Sequence, residues 1–98
     1  MIDVNPHVGV LLIELLVSES QSLKDKRRVL KSLKDRISNK FNVSVAEVGA
    51  LDKWQRSILG VSLIANDAKF VDSCLQKVAE LVNGEAGVQV TELRLELL

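Results

Sequence analysis

The chain has few of the residues from which bridged, metal-binding or reactive sites are built. Its 98 residues include one cysteine, one histidine, one tryptophan, two phenylalanines and no tyrosine. Cys74 cannot form a disulfide within the chain, and a single cysteine of this kind is typical of a reducing compartment such as the cytoplasm. His7 has no second histidine or cysteine nearby in sequence to complete a metal site. We therefore expect a cytoplasmic protein with no metal and no other cofactor.

Long hydrophobic runs are also missing. The longest apolar stretch near the start, residues 8–16, contains Gly9 and Glu14 and is far shorter than the ~20 residues that span a bilayer. The N-terminus lacks the basic region, apolar stretch and cleavage site of a signal peptide. A composition of 47% hydrophobic and 27% charged residues is typical of a soluble globular protein. We expect one domain over residues 1–98 that does not associate with membranes.

The first half of the chain predicts a strand, a helix and a second strand. Residues 7–17 are rich in leucine and β-branched residues on both alternating faces, as in a central strand. Ser22 stands at an N-cap position with Asp25 three residues later, and apolar residues at helical spacing follow, so a helix is predicted over about 22–40. Residues 42–51 predict a strand in which Val43 and Val45 alternate out of step with Val48, and a bulge near Glu47 would reconcile them. The predicted apolar stripe of the helix consists of Leu23, Leu30, Leu33, Ile37 and Phe41.

The second half predicts a strand, a helix and a final strand. Residues 55–65 alternate, and a short turn separates them from the preceding strand. Asn66 and Asp67 are N-cap signals for a helix over about 67–83, which ends at Asn83 and Gly84. The last strand is predicted over 88–97, although its end could also form a short helix. The apolar face of the second helix is predicted to hold Phe70, Val71, Cys74, Leu75, Val78, Leu81 and Val82.

This β-α-β-β-α-β order predicts a ferredoxin-like split sandwich of the α+β class. Two helices would cover one face of a four-stranded antiparallel sheet with the first and third strands in its centre. The other face would be apolar enough to require cover by a second copy of the chain or by a ligand. The residues predicted to form this oligomer interface are Val8, Val10, Leu12, Leu16, Ile58 and Ile64.

Positive charge is concentrated in the first predicted helix. Residues 24–40 hold eight of the thirteen lysines and arginines and two aspartates, so they carry a net charge of plus six, and the other 81 residues carry minus six. A one-sided basic patch is the electrostatic signature of a partner with many phosphates. On a helical wheel, four basic residues lie opposite the apolar stripe and a fifth flanks them. These predicted nucleic-acid-binding residues are Lys24, Arg27, Arg28, Lys31 and Lys34.

The sequence in and around this helix resembles that of the YlxP-like family of small bacterial proteins. Residues 19–28 (ESQSLKDKRR), 33–36 (LKDR) and 39–47 (NKFNVSVAE) carry the resemblance, and residues 52–56 (DKWQR) and 66–67 (ND) are similar too. The resemblance covers nearly the whole chain. It implies a ferredoxin-like fold and a gene often near those for translation and ribosome-maturation factors. It implies no catalytic activity, because the family is a domain of unknown function.

The remaining polar and aromatic residues leave alternatives open. Trp54 could cap the edge of the core while Asp52 closes the turn, or Trp54, Gln55 and Arg56 could contact a partner. Glu14 on the first strand is predicted to pair with Arg94 on the last. Cys74, on the apolar face of its helix, is expected to be a buried hydrophobic residue rather than a nucleophile.

Two functions are compatible with these features. The first is a non-enzymatic, dimeric accessory protein that docks on structured RNA or a ribosomal precursor through the basic helix. Stacking of bases on the sheet is excluded because the chain has no tyrosine and the predicted strands contain no phenylalanine or tryptophan. The second is a homo-oligomeric structural or small-ligand-sensing domain that works through the open sheet face. The sequence contains no Cys-x-x-Cys loop, no glycine-rich phosphate loop and no arginine anion cradle, so we expect no enzyme and assign no catalytic residue.

Overall fold

The computed structural model describes residues 1–98 and confirms the predicted order of elements. Each observed boundary lies within two residues of the predicted one. The elements are β1 (His7–Leu16), α1 (Leu23–Lys40), β2 (Ser44–Gly49), β3 (Arg56–Ala65), α2 (Ala68–Asn83) and β4 (Gln89–Leu97).

The four strands form one antiparallel sheet in the order β2-β3-β1-β4. The two central strands pair along their whole length, from His7 opposite Ala65 to Leu16 opposite Arg56. β2 and β4 form the two edges. The ferredoxin-like α+β prediction is therefore confirmed, including the central positions of the first and third strands.

The hydrophobic core lies between the sheet and the two helices. Alternation along β1 turns Leu11, Ile13 and Leu15 towards the helices, and each is at most 1% exposed. The other members of the core cluster are Leu30, Leu33, Ile37, Leu59, Val61, Leu63, Val71, Leu75, Val78 and Val82.

Both helices begin at the caps that the sequence predicts. The Ser22 hydroxyl accepts a hydrogen bond from the Asp25 N–H at 3.0 Å, and the Asp25 carboxylate accepts one from the Gln21 N–H at 3.1 Å. Asp67 caps α2 by accepting from the Lys69 N–H at 3.3 Å. The bonds to Ser22 and Asp67 satisfy backbone donors that the first turn of a helix leaves free.

Gly9 sets how closely α2 approaches β1. A Cβ atom at this position would lie 2.5 Å from Val71 Cγ1 and 2.7 Å from Leu75 Cδ1. Only glycine therefore allows the helix to pack on the strand at this distance.

Two details of the predicted faces are wrong. The bulge in β2 exists between Glu47 and Gly49, but it does not bring Val48 to the core. Val48 is 54% exposed and lies over Gly60 on the open face, because Glu47 is the side chain that turns inward. Phe70, predicted on the buried face of α2, is 57% exposed, because Val71 and Leu75 take the places nearest β1.

Candidate nucleic-acid interface

α1 presents opposite faces to the core and to solvent. Its apolar stripe buries Leu30, Leu33 and Ile37, each at most 2% exposed. Four of the five predicted nucleic-acid-binding side chains are exposed on the outer face, and the fifth is half-buried. The structure thus brings together on one helix the exposed Lys24, Arg27, Arg28 and Lys31 and the half-buried Lys34.

Lys26 differs from its basic neighbours because it is completely buried. Its Nζ lies 2.9 Å from a carboxylate oxygen of Glu47 and donates to the carbonyl oxygens of Ala50 at 2.8 Å and Arg56 at 3.1 Å. The Ser57 hydroxyl donates to the same Glu47 oxygen at 2.7 Å. A buried ammonium is tolerated only when opposite charge and hydrogen-bond acceptors surround it, as they do here.

This buried cluster fixes the position of α1 relative to the turn between β2 and β3. Ala50 opens that turn in the left-handed region with φ of 56°, a conformation that directs its carbonyl to Lys26. Gln55 adds a second attachment, because its side-chain amide donates to the carbonyl oxygens of Ser18 at 3.2 Å and Ser20 at 2.9 Å. Contacts from Lys26 and Gln55 therefore attach α1, and the loop that precedes it, to the segment between β2 and β3.

The sequence pattern contained a signal for Lys26 that charge counting hides. Residues 23, 26, 30, 33 and 37 follow the spacing of three and four that defines the apolar stripe. A lysine at such a position is expected to point inward. Its partner, Glu47, comes from another element, and only the fold brings the two together.

The exposed charge of α1 is smaller than the sequence total. Lys26 is neutralised by Glu47, and Arg36 pairs at 3.0 Å with Glu85, which follows the C-cap of α2. Six bases and two aspartates remain, so the solvent-facing part of residues 24–40 carries plus four.

Local ion pairs on α1 compensate part of this remainder. Asp35 lies 2.8 Å from Lys31 and raises the pKa of that lysine through a hydrogen bond and its charge. Asp25 approaches Arg28 only to 3.9 Å. Both pairs are exposed and belong to the helix itself. The least compensated positive charge lies on Lys24, Arg27, Lys34 and Lys40, which form no ion pair.

Only one member of the predicted Trp54, Gln55 and Arg56 contact surface is free for a partner. Gln55 holds the loop before α1, and Arg56 binds the Glu14 carboxylate with an Nε to Oε2 distance of 3.0 Å. The Trp54 ring is 56% exposed and lies beside Leu16 rather than against the core. It stands at the end of the open sheet face and not on the basic face of α1.

The predicted pair between Glu14 and Arg94 is wrong. Arg56 and Thr91 bind the two oxygens of Glu14, and together they lower the pKa of that carboxyl, Arg56 having the larger effect. Arg94 instead lies 3.1 Å from Glu96 on its own strand.

The predicted oligomer-interface residues lie together on the open face of β1 and β3. Ile64 is 65% exposed and Leu16 is 37% exposed. The half-buried members are Val8, Val10, Leu12 and Ile58. A shallow depression of about 190 Å³ on the same face is floored by Leu12 and Ile58 and rimmed by Glu14, Glu92 and Arg94.

Neither His7 nor Cys74 belongs to a cluster of metal-binding side chains. No group of three histidine, cysteine or acidic side chains is arranged to hold a metal ion, and His7 is exposed. Cys74 is half-buried against the core, and burial raises the pKa of its thiol, which disfavours the nucleophilic thiolate. No helix of the chain has the length and apolar character that crossing a membrane requires.

Comparison with solved structures agrees with the fold. The chain is similar to the de novo designed protein Foldit4, with a TM-score of 0.54 and 15% identity over 92% of this chain and 96% of that one. A second design, Ferredog-Diesel, aligns with a TM-score of 0.49 and 14% identity over 98% of this chain and 88% of that one. At such low identity the first likeness shows the architecture alone.

Comparison of sequences identifies the family. The chain is 34% identical over 89 residues to the Uncharacterized protein YlxP of Bacillus subtilis (strain 168), an alignment that covers 91% of this chain and 97% of that protein. The model of the family described as Protein of unknown function (DUF503) matches residues 8–95. The resemblance found in the basic helix thus extends over the whole fold, and the chain belongs to the DUF503 family.

Proposed function

We propose that this protein is a non-enzymatic cytoplasmic accessory protein that docks on structured RNA or a ribosomal precursor through α1. The observation that carries the proposal is the outer face of this helix, where Lys24, Arg27, Arg28 and Lys31 are exposed together. No carboxylate from another element neutralises these four side chains. A phosphate-rich partner would gain from all of them at once.

Repulsion within α1 supports an anionic partner. Lys24 and Arg28, and likewise Arg27 and Lys31, are like-charged pairs four residues apart, which lower helix stability by about a few tenths of a kcal/mol each. In the free protein only two aspartates of the helix offset this repulsion, Asp35 close to Lys31 and Asp25 at a longer distance from Arg28. Phosphates bound across the face would relieve it.

The expected mode is recognition of shape and phosphates rather than of base sequence. The strands of the sheet carry no phenylalanine, tyrosine or tryptophan on which bases could stack. A rigid helix that presents four or five cations is suited to the closely spaced phosphates of folded RNA. We therefore expect affinity for structured RNA with little dependence on its sequence.

A charge-reversal experiment tests the proposal. The variant Arg27→Glu/Arg28→Glu/Lys31→Glu should abolish binding to ribosomal particles and to structured RNA. A matched control, Lys53→Glu/Lys69→Glu/Lys77→Glu, changes the net charge equally at exposed positions outside α1 and should retain most of the binding. Circular dichroism would verify that both variants are folded. Unchanged binding of the α1 variant at physiological salt would contradict the proposal.

Salt dependence gives an independent measurement. If α1 neutralises four or five phosphates, the logarithm of the binding constant should fall with the logarithm of salt concentration with a slope of about −4. In a density gradient, the protein should migrate with ribosomal subunits at low salt and leave them at high salt. A slope near zero would argue against phosphate contact.

The alternative function is a homo-oligomeric structural or small-ligand-sensing domain that works through the open sheet face. The exposed Ile64 and the depression over Leu12 and Ile58 favour it. That depression is smaller than the ~300 Å³ at which drug-sized ligand sites begin, so a ligand there would be small. Association through this face should tolerate or gain from salt. The variant Ile64→Asp should weaken it and leave RNA binding intact.

A further inference from the structure

The outer edge of β4 is the longer and more regular of the two edges of the sheet. β4 has nine residues and one irregularity near its start, whereas β2 has six residues and a bulge near its end, so β4 offers the longer uninterrupted stretch. A long regular edge leaves a row of unpaired N–H and C=O groups that can bind another strand. Proteins usually protect such an edge with charged side chains, especially lysine, with proline or with a bulge. The stretch of β4 that follows the irregularity near its start, residues 92–97, contains no lysine, proline or bulge, and its charged residues, Glu92, Arg94 and Glu96, are of both signs.

The hydrogen bonds to β1 show which backbone groups of β4 are free. The Leu98 N–H donates to the Val8 carbonyl at 2.8 Å, in register with the pairing of Glu96 with Val10. Because hydrogen-bonded and non-hydrogen-bonded pairs alternate in an antiparallel ladder, even-numbered residues of β4 turn their backbone groups towards β1. The odd-numbered residues, at positions 93, 95 and 97, turn theirs outward.

We propose that this edge pairs with the same edge of a second copy of the chain, in antiparallel register about a two-fold axis at Leu95. Leu95 then lies opposite Leu95 of the second copy, and Leu93 lies opposite Leu97. These are the residues with outward backbone groups, so each opposed pair exchanges two hydrogen bonds. The two four-stranded sheets become one sheet of eight strands.

Charge complementarity and the regular part of the strand together select this register. With the axis at Leu95, Arg94 of each copy faces Glu96 of the other, and the side chains meet at the closely spaced non-hydrogen-bonded positions. An axis at Arg94 would oppose two arginines. An axis at Leu93 would place Arg94 opposite Glu92, but it would also oppose Val90 to Glu96 and extend the pairing into the irregular segment at the start of β4. Arg94 and Glu96 are 62% and 51% exposed, so both are available for exchange between copies.

Apolar surface on the helix side of β4 fits the same partner. Leu93 and Leu97 are 41% and 49% exposed, although they lie opposite Ile13 and Gly9 on the core-facing side of the sheet. The leucines of a second copy, placed directly across the axis, would cover them. Cross-strand leucine contacts and two ion pairs then add to the backbone hydrogen bonds.

The paired arrangement determines where the basic helices stand. α2 packs next to β4, and α1 packs next to β2 at the other edge. Both copies of α1 would therefore lie on the same side of the eight-stranded sheet, one towards each outer end. If the proposed function is correct, the dimer binds one RNA at two points and gains avidity. That consequence rests on the proposed function, but the pairing itself does not.

Charge exchange between two variants tests the pairing. Sedimentation equilibrium at micromolar concentration should show a dimer for the unmodified protein. Arg94→Glu and Glu96→Arg each replace two attractive pairs by two repulsive ones, and each should raise the dimer Kd about tenfold or more. An equimolar mixture of the two variants should form a heterodimer, because position 94 of each copy then faces a residue of opposite charge at position 96 of the other. The double variant Arg94→Glu/Glu96→Arg should dimerise again.

Amide hydrogen exchange supplies a second readout. The amides of Leu93, Leu95 and Leu97 should be protected in the dimer and should exchange when dilution or Arg94→Glu separates the copies. Ile64→Asp, on the open face, should leave the dimer intact. A monomeric unmodified protein, a dimer insensitive to both charge reversals, or a mixture that fails to associate would overturn the proposal. RNA binding by α1 in a monomer would leave the proposed function standing.

Discussion

The ammonium group of Lys26 and the carboxylate of Glu47 lie 2.9 Å apart in the interior of the protein, and the lysine is completely excluded from solvent. The pair joins α1 to β2, the strand next to which this helix packs. It also gives the carbonyl oxygens of Ala50 and Arg56 a donor. The helix proposed to bind RNA therefore depends for its position on the one buried member of its basic cluster.

Breaking this pair should destabilise the protein strongly. Lys26→Met leaves Glu47 without its counter-charge and removes the ammonium donor from the carbonyl oxygens of Ala50 and Arg56, and breaking a buried pair of this kind costs about 3–5 kcal/mol of unfolding free energy. Lys26→Met/Glu47→Gln removes both charges, so it should be less destabilised than Lys26→Met alone. Urea denaturation measures both values. If Lys26→Met lost less than about 1 kcal/mol, the buried pair would not anchor α1.

The N-cap of α1 should make a measurable contribution of its own. Ser22→Ala removes the acceptor of the Asp25 N–H and should lower the free energy of unfolding by about 1 kcal/mol. Ser32→Ala, at an exposed position inside the same helix, is the control and should be neutral or slightly stabilising. Equal effects of the two substitutions in chemical denaturation would contradict the capping role.

Replacing Gly9 by alanine, the smallest residue with a side chain, should destabilise the protein. Gly9→Ala forces Val71 and Leu75 of α2 away from β1 and should cost about 1–3 kcal/mol, as overpacking of a core does. Gly84→Ala is a suitable control, because an added Cβ there comes no closer than 3.6 Å to any atom. Thermal unfolding should show a lower Tm for Gly9→Ala than for Gly84→Ala. The reverse order would mean that α2 is free to move outward.

Acid should weaken the contact between Glu14 and Arg56. The folded-state pKa of Glu14 is lowered, chiefly by its hydrogen bond to Arg56, so its contribution to stability is present above the unfolded-state pKa. That contribution is lost as the pH falls below about 4.3 and through the lowered value. The stability of Glu14→Gln should therefore fall less steeply over this range than that of the unmodified protein.

A comparison variant makes the acid measurement specific. Glu19→Gln also removes one exposed carboxylate, but Glu19 forms no ion pair in the structure. It should keep the pH dependence of the unmodified protein in urea denaturation at a series of pH values. Parallel curves for Glu14→Gln and the unmodified protein would mean that the Arg56 contact adds nothing.

The architecture could be predicted because each helix and strand depends on patterns among residues that are close together in the sequence. Alternation in residues 7–17 and helical spacing in residues 22–40 each identify one face for burial. The caps at Ser22 and Asp67 are bonds between near neighbours in the chain. Such features need no knowledge of distant segments, and all of them appear in the structure.

Contacts between distant segments were harder to predict. Arg56 and Arg94 both lie near Glu14 on the open face, opposite Leu16 and Leu12 respectively. Alternation alone cannot choose between two arginines placed so symmetrically. The fold decides for Arg56, and the irregularity in β4 brings Thr91 to the other oxygen of Glu14.

The sequence by itself determined the order of elements, the core-facing residues of β1 and β3, and the accumulation of positive charge in α1, because each depends on spacing or counting along the chain. Only the tertiary structure decided which of those charges reach solvent. Lys26 and Arg36 are compensated by Glu47 and Glu85, which lie 21 and 49 residues away in the chain and are brought near by folding. The energy of an ion pair depends on the distance between the two charges in space. Residue spacing along the chain does not determine that distance, which is set only when the elements pack together.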